Sequence, residues 1–248
     1  MLESMSLTNV NRHKFAYLAV VCQMDNRHHI ADSAAFAAAF AVSRETLQRL
    51  EFYADLLQRW QKTINLVAPS TLPDVWHRHF ADSAQLMDQV PAGALRWLDL
   101  GSGGGFPGLV IGCLLAERPG SRLTLIESDA RKCAFLREVV RQTALASVVA
   151  VDIATERIET AANTSKVGVV DVISARALAP MERLLGWCDP FFGSDTLALL
   201  LKGRDVEVEI AAARQIWEFD SELVGSRTSP EGRIVKLLKL RLAGVEMT

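Results

Sequence analysis

The residues of this chain best placed to do chemistry together lie in one run: Leu98, Asp99, Leu100, Gly101, Ser102, Gly103, Gly104, Gly105, Phe106, Pro107 and Gly108. Five of the eight residues from Gly101 to Gly108 are glycine. Glycine lets a backbone turn at positive φ and come close to a ligand, at an entropic cost that a turn without a ligand leaves unoffset. A helix opening after such a turn adds free N–H groups. Two cofactor classes use this design. Gly103, Gly105 and Gly108 satisfy the G-x-G-x-x-G of dinucleotide sites. Asp99, Gly101, Gly103 and Gly105 satisfy an acid-x-G-x-G-x-G frame used by S-adenosyl-L-methionine sites. The second frame begins where the preceding strand must end, whereas the first starts two residues later and encloses Pro107. An acid at position 99 suits the cationic sulfonium and would repel a pyrophosphate. The frame therefore favours S-adenosyl-L-methionine, bound by Asp99, Gly101, Ser102, Gly103, Gly105 and Phe106, with a nicotinamide cofactor as the alternative.

Two further positions fit such a ligand. Glu127 closes the next apolar run, about 20-odd residues downstream, where a carboxylate can accept both hydroxyls of a ribose. Ala154, Thr155 and Glu156 follow the third apolar run and are candidates for the adenine side.

The elements that must position these groups are legible as alternation. Strands are expected at Arg96–Leu100, Leu123–Glu127, Val148–Ile153, Val169–Ser174 and Thr196–Lys202. Helices are expected at Pro107–Glu117, Ala130–Ala144, Met181–Cys188 and Val206–Trp217, and two last strands at Glu222–Val224 and Ile234–Leu240 across the turn residues Ser229, Pro230 and Gly232. Strands alternating with helices imply an α/β fold, a mostly parallel Rossmann-like sheet of seven strands covered on both faces, with an antiparallel edge hairpin. Before it the pattern is helical: an Ala- and Phe-rich run over Ala31–Val42, a helix capped by Ser43 with apolar residues from Leu47 to Trp60, breaks at Pro69 and Pro73, and a helix over Val75–Gln89. The expected division is a poorly ordered leader over 1–30, a helical extension over 31–94 and the sheet domain over 95–248. Phe15–Cys22 is apolar but too short for a membrane span and lacks a small-residue cleavage site.

Composition narrows the setting. Half of the 248 residues are hydrophobic, 23% are charged and the formal net charge is -2. These values suit a globular protein and argue mildly against nucleic-acid binding, without excluding a local basic patch. The four cysteines, Cys22, Cys113, Cys133 and Cys188, form no CxxC pair and read as reduced thiols of a cytoplasmic protein. His77 and His79 sit at i, i+2 and face opposite sides of a helix, so no metal site is expected there.

Missing motifs restrict the methyl acceptor. There is no Asn-Pro-Pro-Tyr or Asp-Pro-Pro-Tyr for exocyclic amines and no Pro-Cys for a covalent route to pyrimidine C5. Acceptors with an exposed lone pair, such as guanine N7, remain, as do small molecules. Such an acceptor carries no proton to remove, so catalysis would rest on alignment and electrostatics.

Several stretches together resemble the RsmG (GidB) family: Trp60–Leu66 (WQKTINL), Arg78–Ser83 (RHFADS), Leu98–Gly108, Asp171–Ala177 (DVISARA) and Leu201–Gly203 (LKG). The resemblance implies a methyltransferase Rossmann-like sheet with an N-terminal helical extension. It also implies methylation of guanine N7 in 16S small-subunit ribosomal RNA, presented as RNA or as an assembling 30S particle, by an enzyme without metal and expected to be a monomer. It implies donor binding by the glycine turn and Glu127, and places Arg176 near both donor and acceptor. Asn65, Arg78, His79, Asp82 and Ser83 match its motifs before the sheet. Arg176, Asn65 and His79 are accordingly the catalytic candidates, and Arg78 and Lys202 the RNA-facing ones. One departure is Ala154, where related sequences often carry an arginine. Arg44, Arg49, Arg59, Lys62, Arg131, Lys132, Arg137 and Arg141 are further candidates for an RNA-facing side, though each alone reads as a solvated helix face. The alternatives are a small-molecule methyltransferase and an RNA-binding module without catalysis.

Overall fold

The computed structural model describes residues 29–164 and 167–244. The expected disordered leader, apart from its last two residues, lies outside them, as does Cys22.

Seven strands form one sheet in the order β3-β2-β1-β4-β5-β7-β6. They are β1 (Arg96–Leu100), β2 (Arg122–Glu127), β3 (Ala150–Thr155), β4 (Val172–Arg176), β5 (Leu197–Lys202), β6 (Trp217–Gly225) and β7 (Arg233–Leu242). The first five run parallel, and β7 pairs antiparallel with both β5 and β6. β1 is hydrogen-bonded to β2 on one side and β4 on the other, so the crossovers leave it in opposite directions. In open α/β sheets that reversal opens a crevice at the carboxyl ends of the strands, where ligands bind.

The period-2 alternation of each strand builds two cores. Trp97, Leu123, Leu125, Val172 and Leu199 point to one face, and Leu98, Leu100, Ile126, Ile173 and Leu200 to the other. The first face is covered by α1 (Ser33–Phe40), α2 (Arg44–Trp60), α3 (Gly108–Leu115) and α4 (Ala130–Gln142). The second is covered by α5 (Ile158–Thr164), α6 (Met181–Cys188) and α7 (Val206–Ala213). The helical extension shares one continuous apolar cluster with the sheet, in which Phe36, Leu50, Tyr53 and Leu57 are fully buried. Ser43 caps α2 as expected, its hydroxyl accepting the Thr46 N–H at 3.2 Å.

Several boundaries differ from the sequence pattern. β3 starts two residues late and runs to Thr155, because its register against β2 sets Ala150 opposite Arg122 and Thr155 opposite Glu127. β4 starts at Val172 because Asp171 turns back to cap the start of β1, accepting the Leu95 and Arg96 N–H groups at 2.8 Å each. The helix expected to reach Trp217 stops at Ala213, and Trp217 opens β6 opposite Leu242. The expected helix over Val75–Gln89 is a run of changing winding: π-helical over Trp76–Ala81, α over Asp82–Ala84 and 3-10 over Gln85–Gln89. Helix α5 lies where no helix was expected.

Candidate active site

A cleft of about 1180 Å³ opens at the carboxyl ends of the parallel strands. Its walls include the glycine turn after β1, Glu127 at the end of β2, Glu156 after β3, Arg176 at the end of β4 and Lys202 at the end of β5. Arg78 and His79 of the π-helical run, Asp82 at the start of the α turn after it, and Ser226 and Thr228 of the β6–β7 loop also line it.

The glycine turn takes its shape from its neighbours. Gly101, Gly103 and Gly105 adopt φ of 66°, 56° and 91°, a region where a Cβ is strained. At Gly103 a Cβ would meet nothing closer than 3.8 Å, so its α-carbon faces open cleft. Its N–H donates to Glu127 Oε2 at 2.8 Å, and Glu127 Oε1 accepts the Asp129 N–H at 2.8 Å. Glu127 is thus locked to the turn, with lone pairs left over on both oxygens. The Gly101–Gly105 backbone beside an oriented carboxylate fits a nucleoside such as that of S-adenosylmethionine.

Arg176 organises the other half. Its Nη1 donates to the Arg78 carbonyl at 3.2 Å and to Asp82 Oδ2 at 3.3 Å, and its Nη2 donates to His79 Nδ1 at 2.7 Å. Its guanidinium carbon stands 5.2 Å from the centroid of the Phe106 ring. His79 is 7% exposed, and burial, then the charges of Arg176 and Arg78, push its pKa down to about 3. The imidazole is therefore neutral and cannot compete with Arg176 for charge.

The other candidates fall into place unevenly. Arg78, Ser102, Gly103, Phe106 and Glu156 line the cleft with Glu127, His79 and Arg176. Asp99 does not face it. Asp99 is fully buried, its carboxylate accepting from the Ser174 hydroxyl at 2.6 Å and the Gly108 N–H at 3.2 Å. It holds the turn and the start of α3 from beneath instead of meeting a cationic ligand. Gly105 also faces inward, where a Cβ would come within 2.5 Å of the Tyr53 hydroxyl. Thr155 is outside the cleft, its hydroxyl accepting from Arg137 at 2.7 Å. Asn65 lies apart from Arg176 and His79, on the wall of a second depression of about 320 Å³. Lys202 lines the cleft but its ammonium donates to Glu209 at 2.6 Å and the Ala179 carbonyl at 2.7 Å, so it is not a free cation turned outward.

Three contributors had no local signal. Tyr53, from α2, donates its hydroxyl to the Gly104 carbonyl and stacks on Phe106 at 5.2 Å between centroids. Thr71 pairs with His79 Nε2 at 2.7 Å. Thr228, from the edge hairpin, donates to Asp82 Oδ1 at 2.6 Å. Each is joined to its partner only by the fold. Among the described residues, no group of three His, Cys, Asp or Glu side chains is placed to hold a metal ion, and no helix is long and apolar enough to cross a membrane.

Residues 46–233 match the family model described as GidB, rRNA small subunit methyltransferase G. This chain belongs to that family. A relative from Parvibaculum lavamentivorans, named ribosomal RNA small subunit methyltransferase G, is 52% identical over 208 residues, covering 84% of this chain and 89% of its own. One of the same name from a Bradyrhizobium species is 47% identical, covering 84% and 90%. Among solved structures, an O-methyltransferase from Bacillus cereus in complex with SAH is 16% identical with a TM-score of 0.54, covering 77% of this chain and 91% of that one. The O-methyltransferase TomG from Streptomyces achromogenes in complex with SAM is 12% identical with a TM-score of 0.53, covering 86% and 98%. At such identities these two speak for the fold alone, a Rossmann-like α/β fold shared with methyltransferases.

Proposed function

We propose that this protein transfers the methyl group of S-adenosyl-L-methionine to N7 of a guanine in 16S small-subunit ribosomal RNA, acting as a cytoplasmic monomer on the RNA or on an assembling 30S particle. The observation that carries this reading is the 2.8 Å bond from the Gly103 N–H to Glu127, in a chain of the rRNA small subunit methyltransferase G family. It joins the backbone turn and the carboxylate that would hold the two ends of a nucleoside.

When bound, the donor supplies an electrophilic methyl group on a sulfonium sulfur. The Gly101–Gly105 backbone and Glu127 would hold it, with Glu156, which lines the same cleft, a candidate to meet its adenine. Guanine N7 offers a lone pair and no proton, so no side chain has to act as a base. His79 suits that chemistry, since Nδ1 is occupied by Arg176 and the ring stays neutral. Arg176 has five N–H donors and keeps some beyond its bonds to Arg78, Asp82 and His79. Those left over orient the acceptor base, and Arg78 meets the RNA. Catalysis is then positioning and electrostatics. Residues 31–94 act as a helical extension that supplies Arg78 and His79 to a transfer domain over 95–248.

Mass mapping of ribosomal RNA nucleosides from cells with and without the protein tests this. The expected result is loss of 7-methylguanosine from one position of the small-subunit RNA. Tritium passing from labelled donor only into small metabolites would sink the proposal.

A further inference from the structure

Beside the cleft lies the depression of about 320 Å³, walled by Gln61, Lys62, Asn65, Asp129, Arg131 and Lys132 among others. Lys132 lines both hollows, so the two are adjoining parts of one surface. Among the described residues neither Lys62 nor Lys132 has an acidic partner for its ammonium, whereas Lys202, Lys236 and Lys239 are all paired. The Asn65 side chain is exposed and likewise unengaged.

The floor is held in shape. Gln61 Oε1 accepts the Leu66 and Val67 N–H groups at 2.9 and 3.1 Å, and its Nε2 donates to the Val67 carbonyl at 2.9 Å. That clamp closes the Lys62–Asn65 loop. On the other wall Arg131 and Lys132 stand in the first turn of α4, where the helix dipole disfavours cations. Asp129 already caps that end, accepting the Arg131 N–H at 2.8 Å and pairing with the Arg131 guanidinium. The Lys132 N–H also reaches Asp129 Oδ1, at 3.4 Å, while its ammonium has no ion pair among the described residues and is free to meet an incoming anion. A volume of about 320 Å³ equals on the order of ten water molecules, room for a phosphodiester with part of its sugar.

From these features we infer that the depression is a phosphate-binding subsite for the RNA strand as it leaves the cleft, with Lys62 and Lys132 neutralising backbone phosphates and Asn65 donating to a phosphate oxygen. The inference rests on the reading of the cleft as an RNA methylation site. It also gives Asn65 a role in gripping the substrate strand, away from the transferred methyl group.

The test is the salt dependence of binding to a naked transcript of the small-subunit RNA, followed by fluorescence anisotropy between about 50 and 300 mM KCl. Each lost phosphate contact flattens the slope of log K against log salt by roughly 0.7 to 0.9. Lys62→Gln should flatten it by about that amount and Lys62→Gln with Lys132→Gln by about twice as much. Asn65→Ala should weaken binding several-fold with little change in slope. The KM for RNA should rise while donor binding to Lys62→Gln, measured by calorimetry, stays unchanged. Lys239→Gln, at the edge hairpin and paired with Asp220, is the control. A Lys62→Gln slope no flatter than that of Lys239→Gln, in a protein that binds and methylates the RNA, overturns the subsite and leaves the methylation reading intact. A wild-type protein that binds no RNA overturns both. Loss of capture of an acidic protein at an unchanged RNA slope would assign the depression to a protein partner and overturn it too.

Discussion

His79 Nδ1 and Arg176 Nη2 lie 2.7 Å apart, while His79 Nε2 lies 2.7 Å from the Thr71 hydroxyl. An arginine N–H only donates, so Nδ1 is the acceptor and Nε2 carries the ring proton. Thr71 accepts that proton's bond and passes its own on to the Ala68 carbonyl at 2.7 Å. The imidazole is thus a strut between the extension and the end of β4, fixed in one tautomer by what lies on either side.

This separates the two ring contacts experimentally. In His79→Asn the amide oxygen can stand near the place of Nδ1 and still accept from Arg176. In His79→Gln the amide reaches towards Thr71 instead, and His79→Leu keeps neither contact. Leaving one buried donor unpaired costs roughly 1–3 kcal/mol, or about 5- to 150-fold in rate if Arg176 is disordered by it. Single-turnover methyl transfer should therefore fall in the Leu and Gln variants and recover in large part in the Asn variant, with donor affinity changed less than the rate. Recovery in Gln and not in Asn would show that Thr71, and not Arg176, is the contact that matters.

The same histidine and Asp99 oppose each other in acid. His79 is held at about 3 against an ordinary 6.5, so the unfolded chain takes up a proton first and stability is lost as pH falls from about 6.5 towards 3. Burial pushes Asp99 up to about 6, partly offset by bonds from Ser174, Ser102 and Gly108 and by the charge of Arg176. Its folded form is protonated first, so it adds stability as pH falls from about 6 to 3.8. Between about pH 4 and 6 the two contributions nearly cancel. Asp99→Asn removes only the second. Its unfolding free energy in urea should then decline more steeply than that of the wild type across this window, by up to about 1.4 kcal/mol per pH unit. Parallel curves for the two proteins would mean that Asp99 does not titrate there.

What was legible in the chain follows from the range of the forces involved. The glycine turn and Glu127 depend on a strand, a tight turn and a second strand end, all encoded locally, and the 2.8 Å bond between them joins two positions that spacing alone had paired. Tyr53 and Thr228 were invisible because they meet Gly104 and Asp82 across 51 and 146 residues of chain. Asp99 had the right residue type for a ligand contact, but pattern does not tell which side of a turn a carboxylate takes, and Ser174 on β4 holds it inside. Strand ends shifted for a related reason: β3 and β4 start where their neighbours' register and caps dictate, and apolar runs report only part of that.

Tyr53 is where the extension grips the glycine turn. Tyr53→Phe keeps the ring stack on Phe106 but leaves the Gly104 carbonyl without its buried donor. On the other side of the turn, a Cβ at Gly104 would lie 2.9 Å from the Leu66 carbonyl oxygen, which is backbone and cannot swing away. Tyr53→Phe and Gly104→Ala should each cost roughly 1–3 kcal/mol of stability and weaken donor binding several-fold in calorimetry. Because both act on one peptide group, the double variant should lose less than the two single losses added. Strict additivity would mean that the turn does not depend on the extension.

Lys202 separates a structural lysine from an RNA-facing one. Its side chain is 9% exposed, and its ammonium joins the end of β5 to Glu209, whose carboxylate also accepts the Met181 N–H at 2.8 Å at the start of α6. Lys202→Met would leave that carboxylate and the Ala179 carbonyl without their cation. With a penalty of roughly 1–3 kcal/mol and about 2–4 °C per kcal/mol for a chain of this size, the melting temperature should drop by several degrees. The salt slope of RNA binding should stay where it is, since no phosphate contact is lost. A slope flatter by about 0.7 with an unchanged melting temperature would instead make Lys202 an RNA ligand that leaves Glu209 when the substrate arrives.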